Sequence, residues 1–341
     1  MTPASGWIPG DAFLERVKRA YRLAITRWSG INHPFWGEIY DRQRPIQVAL
    51  LAQNHDALRA AFINPGGNDL FYGVDNLFSE FVTAAAKEKQ TETSTADEVR
   101  QLLSEIEAAT GQSTGHVTFP NPFAHEYGLW TNRGLASYRA VHALYQARRL
   151  QQLLPNGGRI LEIGPGMGRT AYFAYQLGLR DYSTIDLPMG VVGQACFLAA
   201  TLGPDKIWMI GDDPKEKNGR IQLMPGSQSL PAGRFDLVLN VDSITEMSHA
   251  AALRYVLWMA DHASRFLSIN HNKNEFTASE LCHQAFSIKR VDMKPYPLRD
   301  GYFEELIDIG PKRWAIGARY EAFVADMRER ASSALGRRSP H

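Results

Sequence analysis

The sequence has few cysteines, no excess of charge of one sign and no long apolar run. Only Cys196 and Cys282 occur among the 341 residues, and they lie too far apart for a metal-site spacing. Two isolated thiols suit a reducing compartment, so we expect a cytoplasmic protein with inert core cysteines. Lys and Arg number 37 against 36 Asp and Glu, which excludes a broad field attracting nucleic acid. A small molecule is the expected partner.

Membrane-directed segments are also missing from the pattern. The first residues lack a basic start followed by an apolar core, and the weakly apolar stretch 190–203 is too short to span a bilayer. We therefore expect no membrane association. Hydrophobic residues make up 44% of the chain, as in an ordinary globular protein with a large core.

The chain divides into a helical first part and an α/β second part. Residues 1–150 show helical periodicity without strand alternation, and Thr95 and Glu98, at the end of the polar segment 87–98, are spaced as a capping box for the next helix. The segment 137–155 predicts a long amphipathic helix that ends at Pro155. We place a helical N-terminal domain over 1–150, the α/β domain over 151–325 and a polar tail over 326–341.

Short apolar strands alternate with helical stretches from Arg159 onward. This alternation predicts a mostly parallel sheet with helices on both faces. The predicted strands are 159–163, 181–186, 206–211, 235–241 and 265–270. Because ligands of such sheets bind beyond the carboxyl ends of the strands, the residues there are the candidate site.

The first of these strands runs into a glycine turn, "RILEIGPGMGRT" (159–170). Glycines at 164, 166 and 168 do not match the G-x-G-x-x-G fingerprint of dinucleotides, which would need glycine where Arg169 stands. Glu162, just before the turn, is badly placed beside a diphosphate but well placed beside a cation. S-adenosylmethionine (SAM) carries an ammonium and a sulfonium and no phosphate, so the motif favours SAM over NAD.

Polar residues also end the following strands. Asp186 is placed to accept both ribose hydroxyls, or to cap the next helix. Asp212 could accept from the adenine amino group, or belong to a simple turn. Asn240 offers an amide near the methionine part, or satisfies backbone groups. The predicted cofactor-binding set is Glu162, Gly164, Gly166, Gly168, Asp186, Leu187, Asp212 and Asn240.

Between about residues 71 and 309 the chain resembles the sugar O-methyltransferases, a group of class I SAM-dependent methyltransferases. The resemblance is carried by "NPFAHEYG", "YRAVHALYQARRL", "LEIGPGMGRTAYFAYQLGLRDYSTIDLP", "QACFLAATLG", "FDLVLNVDSITEM", "FLSINH" and "RDGYFEEL". It implies an α/β, Rossmann-like sheet of seven mostly parallel strands with an α-helical N-terminal domain. It also implies methyl transfer to a sugar hydroxyl. The sequence departs from the family where Asn272 replaces the Glu that often follows "SINH".

Transfer to an alcohol needs a base, because the hydroxyl loses its proton as the new bond forms. His271, after the fifth predicted strand, is the first candidate, or it caps the strand end. Asp242 and Glu246 follow the fourth strand and could orient His271, act as the base or bind a sugar hydroxyl. Asp242 or Ser243 could instead cap the next helix. These residues could also hold Mg²⁺, but their spacing does not support a ligand set, so no metal is assigned.

The N-terminal helices have no phosphate or metal motif, so we expect them to cover the sheet edge and to exclude water. Aromatic and polar residues suited to an acceptor can equally be core residues. The predicted acceptor-binding residues are Tyr127, Arg133, Tyr138, His249 and Tyr302.

Two other functions fit the same cofactor site. A SAM-dependent N- or carboxyl-methyltransferase would need no base, because its acceptor is already nucleophilic. A catalytically silent SAM fold would serve as a binding subunit. The helical part also leaves room for homodimer contacts.

Overall fold

The structure, a computed structural model, describes residues 7–26, 28, 34–65, 70, 92–115, 117–120, 129–226 and 230–312. The first part is helical, as predicted. Its helices are α1 (Asp11–Ile25), α2 (Pro34–Arg42), α3 (Arg44–Leu51), α4 (Asp56–Ile63) and α5 (Glu92–Thr110). The predicted polar tail lies outside the described residues.

Helix α1 anchors the helical part to the sheet domain. Its apolar face, which includes Phe13, Val17 and Tyr21, is buried because these residues repeat at helical spacing. Lys18 is also fully buried, and its ammonium donates to the carbonyl oxygens of Ala52 and Asn54 beyond the end of α3. A buried ammonium is tolerated when its donors are satisfied in this way.

Two local predictions for the first 150 residues were wrong. Helix α5 begins at Glu92, so Thr95 lies inside the helix and cannot be its N-cap. A two-stranded antiparallel hairpin, β1 (Leu129–Thr131) and β2 (Gly134–Ala136), interrupts the helical part. Strands of three residues are too short to show alternation in sequence.

The long helix predicted over 137–155 is confirmed as α6 (Tyr138–Leu153). The Ser137 hydroxyl caps it by accepting from the Ala140 N–H. The domain boundary predicted after residue 150 falls inside α6, which packs on the first helix of the sheet domain.

The predicted α/β sheet is confirmed, with eight strands instead of seven. The strands are β3 (Ile160–Ile163), β4 (Tyr182–Asp186), β5 (Ile207–Met209), β6 (Ile221–Pro225), β7 (Leu237–Val241), β8 (Arg265–His271), β9 (Phe286–Pro295) and β10 (Tyr302–Lys312). Their order across the sheet is β5-β6-β4-β3-β7-β8-β10-β9, in which β10 alone runs in the opposite direction to the others.

All five predicted strands form, while β6, β9 and β10 were missed. In β9, Lys289 to Met293 are exposed, so the apolar pattern of a buried strand is lacking. Strand β10 carries two buried acids, Glu304 and Glu305, which break its apolar run.

Helices cover both faces of the sheet, and two apolar clusters form the core there. The remaining helices are α7 (Arg169–Gln176), α8 (Pro188–Leu202), α9 (His249–His262) and α10 (Ala278–His283). In the described ranges, the structure has no helix with both the length and the apolar character needed to cross a bilayer.

The chain reverses its direction of travel across the sheet at β3. Strand β4 pairs with one edge of β3, and β7 pairs with the other edge, both in parallel. In open α/β sheets this switch point leaves a crevice beyond the carboxyl ends of the strands. The glycine turn follows β3 at this place.

Candidate active site

The glycine turn brings bare backbone to the switch point. Gly164, Gly166 and Gly168 all have positive φ (70°, 59° and 82°), a region that favours glycine. A Cβ on Gly164 would lie 2.2 Å from the hydroxyl oxygen of Ser243, so no side chain fits there. Gly168 is the N-cap of α7, whose first N–H groups therefore point toward the turn.

Asp186 ends β4 beside this turn. One carboxylate oxygen accepts from the Leu187 N–H (2.7 Å) and the other from the Gln194 amide (2.8 Å), and Gly166 N–H also donates to the group. A Cβ on Gly190 would lie 2.5 Å from the Asp186 carboxyl carbon, so Gly190 leaves room for the acid. Burial raises the pKa of Asp186 to about 7. The predicted ribose acid and the glycine turn thus meet.

Glu162 lies beneath the turn and not at its mouth. The residue is 2% exposed and accepts a hydrogen bond from the Tyr182 hydroxyl at 2.8 Å. Burial raises its pKa to about 7, against hydrogen bonds from Tyr182 and Thr170. Its charge is therefore sensitive to any cation that binds above it.

Asn240 takes the second of its two predicted roles, because its amide satisfies backbone and neighbouring polar groups. The amide nitrogen donates to the Ile163 carbonyl at 3.0 Å, and the amide oxygen accepts from the Ile244 N–H and from Asn270. The side chain is fully buried. Asn240 joins the carboxyl ends of β3 and β7 and so fixes the floor of the site.

The prediction for Asp212 does not hold in its adenine-binding form. Strand β6 lies between β5 and β4, so the end of β5 is one strand farther from the glycine turn than expected. The Asp212 carboxylate pairs with Arg16 at 2.8 Å and Arg19 at 3.0 Å, both on α1. Burial acts to raise its pKa, but these contacts and the Met209 N–H hold the pKa below its ordinary value.

We expect Asp212→Asn to lower the melting temperature and to leave SAM affinity unchanged. The part-buried pair with Arg16 is docked between α1 and β5, and removing one charge costs about 1–3 kcal/mol. Thermal melts and calorimetric titration with SAM check both parts. A tenfold loss of SAM affinity would restore the adenine role.

Four predicted residues do come together at the carboxyl ends of β7 and β8. Asp242 has φ 50°, the only positive φ of a non-glycine residue in the described ranges, and its carboxylate pairs with Arg299 at 3.2 Å. Tyr302 hydrogen bonds to the same carboxylate, and its ring meets the His271 ring edge to face at 5.1 Å. Burial raises the pKa of Asp242, against the charge of Arg299.

Glu246 completes this group, which we call the rim cluster (Asp242, Glu246, His271, Arg299 and Tyr302). Burial, and then the negative charge of Asp242, raise its pKa to about 7. A hydrogen bond from the Trp36 side chain and the positive charges of Arg299 and Arg139 act in the other direction. Because Trp36 belongs to α2, the helical part contacts the rim cluster.

His271 ends β8 with one ring nitrogen already used. Its Nδ1 accepts the Lys273 backbone N–H at 3.0 Å, so the neutral ring carries its proton on Nε2. In this orientation Nε2 donates a hydrogen bond and cannot take a proton. The geometry therefore favours a carboxylate of the rim cluster over His271 as the base.

The sequence left open that Asp242 or Ser243 caps the helix that follows, and neither residue caps this helix, α9. Helix α9 is capped by the Ser248 hydroxyl, which accepts from the Ala251 N–H. In the part of the chain that the structure describes, no group of three or more His, Cys, Asp or Glu could hold a metal ion.

The predicted acceptor-binding residues that the structure describes do not all lie at the rim cluster. Tyr127 lies outside the described residues. Arg133 donates to the carbonyl oxygens of Thr114 and Val117, which places its guanidinium in a loop and not at the rim cluster. His249 is exposed and lies beside Gln284. The Tyr138 ring lies against the His142 ring, tilted by 51° with ring centroids 4.2 Å apart, and Tyr302 is in the rim cluster.

The sequence reasoning missed several residues of the site. Gln194 and Gly190 hold Asp186, and their only signal was a position one to two turns after a strand-end acid. Arg299 was within "RDGYFEEL", which the resemblance had singled out without giving this arginine a role. His142 was within "YRAVHALYQARRL", which the resemblance had also singled out without giving this histidine a role. Trp36 carried no signal, because nothing local distinguishes it from a core residue.

A scan against protein-family models finds no match, and neither does a search of curated proteins. A search of solved structures does find chains that match part of this one. The glycopeptide N-methyltransferase MtfA with S-adenosyl-L-homocysteine is 16% identical over 49% of this chain and 90% of its own, with a TM-score of 0.37. The magnesium protoporphyrin IX methyltransferase ChlM of Synechocystis PCC 6803 with bound SAM is 15% identical over 49% and 79%, with a TM-score of 0.34.

The PH0226 protein of Pyrococcus horikoshii OT3 is 11% identical over 51% of this chain and 91% of its own, with a TM-score of 0.38. All three TM-scores lie below 0.5. We therefore infer nothing from these similarities about what this chain binds or does.

Proposed function

We propose that this protein is a SAM-dependent methyltransferase that methylates a hydroxyl of a sugar or glycosylated small molecule. The observation that carries the proposal is the meeting of the glycine turn with Asp186 at the switch point of the sheet. A diphosphate over Glu162 would oppose the ionised form of this buried carboxyl, whereas a cation there would favour it.

The residues of this cleft fit a cationic cofactor. The positive φ values of the glycines and the absence of room for a Cβ on Gly164 allow close backbone approach. Arg169, the residue after the turn, has its guanidinium over the Phe197 ring at 5.0 Å and against the Met167 sulfur at 4.0 Å. A bound cation would favour the ionised forms of Glu162 and Asp186, and Asp186 would accept the ribose hydroxyls. When bound, SAM supplies an electrophilic methyl group.

The rim cluster would position the acceptor and take its proton. Glu246 is the residue we assign as base, because a pKa of about 7 matches proton transfer near neutral pH. Asp242 is held by Arg299 and Tyr302 and would accept a second hydroxyl. His271 Nε2–H would donate to an acceptor oxygen. Alignment of the reactants contributes most of the rate, up to about 7–11 kcal/mol.

A hydroxyl is the acceptor that would make use of all of these groups, including the base. An amine or carboxylate is already nucleophilic and would need no base. The part-exposed aromatic rings of Trp36 and Tyr138 offer flat apolar surface next to polar groups, a combination suited to a sugar ring. A cytoplasmic location and homodimer contacts remain part of the proposal.

The test is incubation of the protein with methyl-labelled SAM and a panel of sugar nucleotides and glycosides. We expect label in at least one sugar product, at an oxygen identified by mass spectrometry and NMR. Label found only on amines or carboxylates would replace the sugar assignment. Absence of both SAM binding by calorimetry and a shift in melting temperature would overturn the methyltransferase proposal itself.

A further inference from the structure

A continuous line of buried hydrogen bonds runs from the glycine turn toward the rim cluster. Thr170 hydrogen bonds to Glu162 and to the Gln146 amide oxygen, the latter at 2.5 Å. Gln146 hydrogen bonds to Tyr296, whose hydroxyl lies 2.9 Å from Nδ1 of His142. All five side chains are at most 8% exposed. Three separate elements, β3 with α7, α6, and the loop after β9, are therefore joined by one polar chain.

This line of hydrogen bonds ends at a ring nitrogen that has no hydrogen-bond partner in the described part of the protein. Nε2 of His142 is buried and makes no hydrogen bond there. An orphaned buried donor or acceptor is costly, about 1–3 kcal/mol, and such a group points to a ligand or an ordered water.

His142 lies beside the rim cluster. The positive charges of Arg299 and Arg139 add to burial in lowering its pKa, to about 3. The ring is therefore neutral near pH 7, so it has one donor nitrogen and one acceptor nitrogen. The ring also contacts, at a tilt of 51°, the ring of Tyr138, one of the predicted acceptor-binding residues.

The protonation state of Glu162 sets which group donates and which accepts in each of these hydrogen bonds. With Glu162 neutral, the Thr170 hydroxyl donates to the Gln146 oxygen, the Gln146 nitrogen to Tyr296, and Tyr296 to Nδ1 of His142. Nε2 then carries the proton and is a donor.

With Glu162 ionised, Thr170 must donate to the carboxylate instead. The Gln146 amide then turns over to donate to Thr170 and to accept from Tyr296. Tyr296 in turn accepts from Nδ1–H, which leaves Nε2 of His142 as an acceptor.

We propose that Nε2 of His142 contacts a hydroxyl of the methyl acceptor. We also propose that the binding of SAM determines, through this line of hydrogen bonds, whether Nε2 donates or accepts the hydrogen bond to that hydroxyl. Thr170, Gln146 and Tyr296 are positioning residues. A cation bound at the glycine turn favours the ionised form of Glu162 and so makes Nε2 an acceptor for a hydroxyl next to the one that is methylated, whose own proton goes to Glu246. This inference rests on the proposed function, because it requires SAM at the turn.

The test is nitrogen-15 NMR of the full chain labelled at histidine, at pH 6.5, with and without SAM. The His142 signals are identified by their loss in His142→Gln. Protonated and unprotonated ring nitrogens have well separated shifts, so the tautomer is read directly. We expect SAM to move the proton of His142 from Nε2 to Nδ1. Thr170→Val should abolish this change, and Thr170→Ser, which keeps the hydroxyl, should restore it.

Glu162→Gln provides a second check, because a permanently neutral group should hold the Nε2–H tautomer with or without SAM. SAM binding is measured in parallel by calorimetry for each variant. Binding to the wild-type protein without a change of the His142 tautomer overturns this inference alone. Failure of the wild-type protein to bind SAM overturns both this inference and the proposed function.

A kinetic arm tests the contact itself. With the first acceptor methylated in the labelled assay, His142→Phe should lower kcat/KM about tenfold, the effect of one lost hydrogen bond, at unchanged SAM affinity. Unchanged kcat/KM in a folded variant would contradict the contact.

Discussion

Replacing Asp186 by alanine is expected to weaken SAM binding at least a hundredfold. The carboxylate at the end of β4 would accept two ribose hydroxyls, and hydrogen bonds to a charged group contribute about 1.5–3 kcal/mol each. Their joint loss corresponds to a hundredfold or more in Kd. Calorimetric titration with SAM measures the change directly.

Two controls separate this loss from unfolding. Asp186 also accepts from Leu187 N–H and Gln194, so thermal melts without SAM must accompany the titration. Asp205→Ala removes an exposed acid from the turn before β5 and should leave Kd unchanged. A loss below tenfold in a folded Asp186→Ala protein would contradict the ribose role.

Replacing Glu246 by glutamine is expected to lower kcat about 10² to 10⁴-fold, the usual contribution of a general base. In the wild-type protein, kcat should rise with pH and level off above about 7. The sign follows from the pKa: burial and the charge of Asp242 raise the pKa of Glu246 to about 7, and only its ionised form, present above that pH, takes a proton. The groups that face it are Asp242, Arg299, Arg139 and Trp36.

The pH profile distinguishes a base from a structural residue. Glu246→Gln should flatten the profile near pH 7, while Glu275→Gln, which changes an exposed acid in the loop after β8, should leave both kcat and profile intact. His271→Ala should cost less than Glu246→Gln, because Nδ1 of His271 is already used by Lys273 N–H. The reverse order would return the role of base to His271.

Local patterns were sufficient where the answer depends on neighbours in sequence. The alternation of apolar strands with helices predicted five strands, and three glycines after one of them predicted the turn. Asp186 was found in the same way, because the end of a buried strand next to the glycine strand is a fixed place in a parallel sheet.

The same reasoning gave the wrong position for Asp212, because it assumed the wrong strand order. Asp212 does follow a predicted strand, but β6 lies between β5 and β4, and two arginines of α1 form ion pairs with the Asp212 carboxylate. Pairing between strands depends on long-range packing, which a sequence window does not contain. The missed β9 and β10 have the same cause, since edge exposure and buried acids hide the apolar pattern.

The sequence by itself determined the α/β sheet, the glycine turn and the acid that faces it, because each follows from spacing along one or two consecutive elements. Only the tertiary structure decided which groups can do chemistry. It buried Asn240, turned Nδ1 of His271 toward a backbone N–H and raised the pKa of Glu246. Burial and hydrogen-bond partners set these properties, and both are supplied by residues far away in the chain.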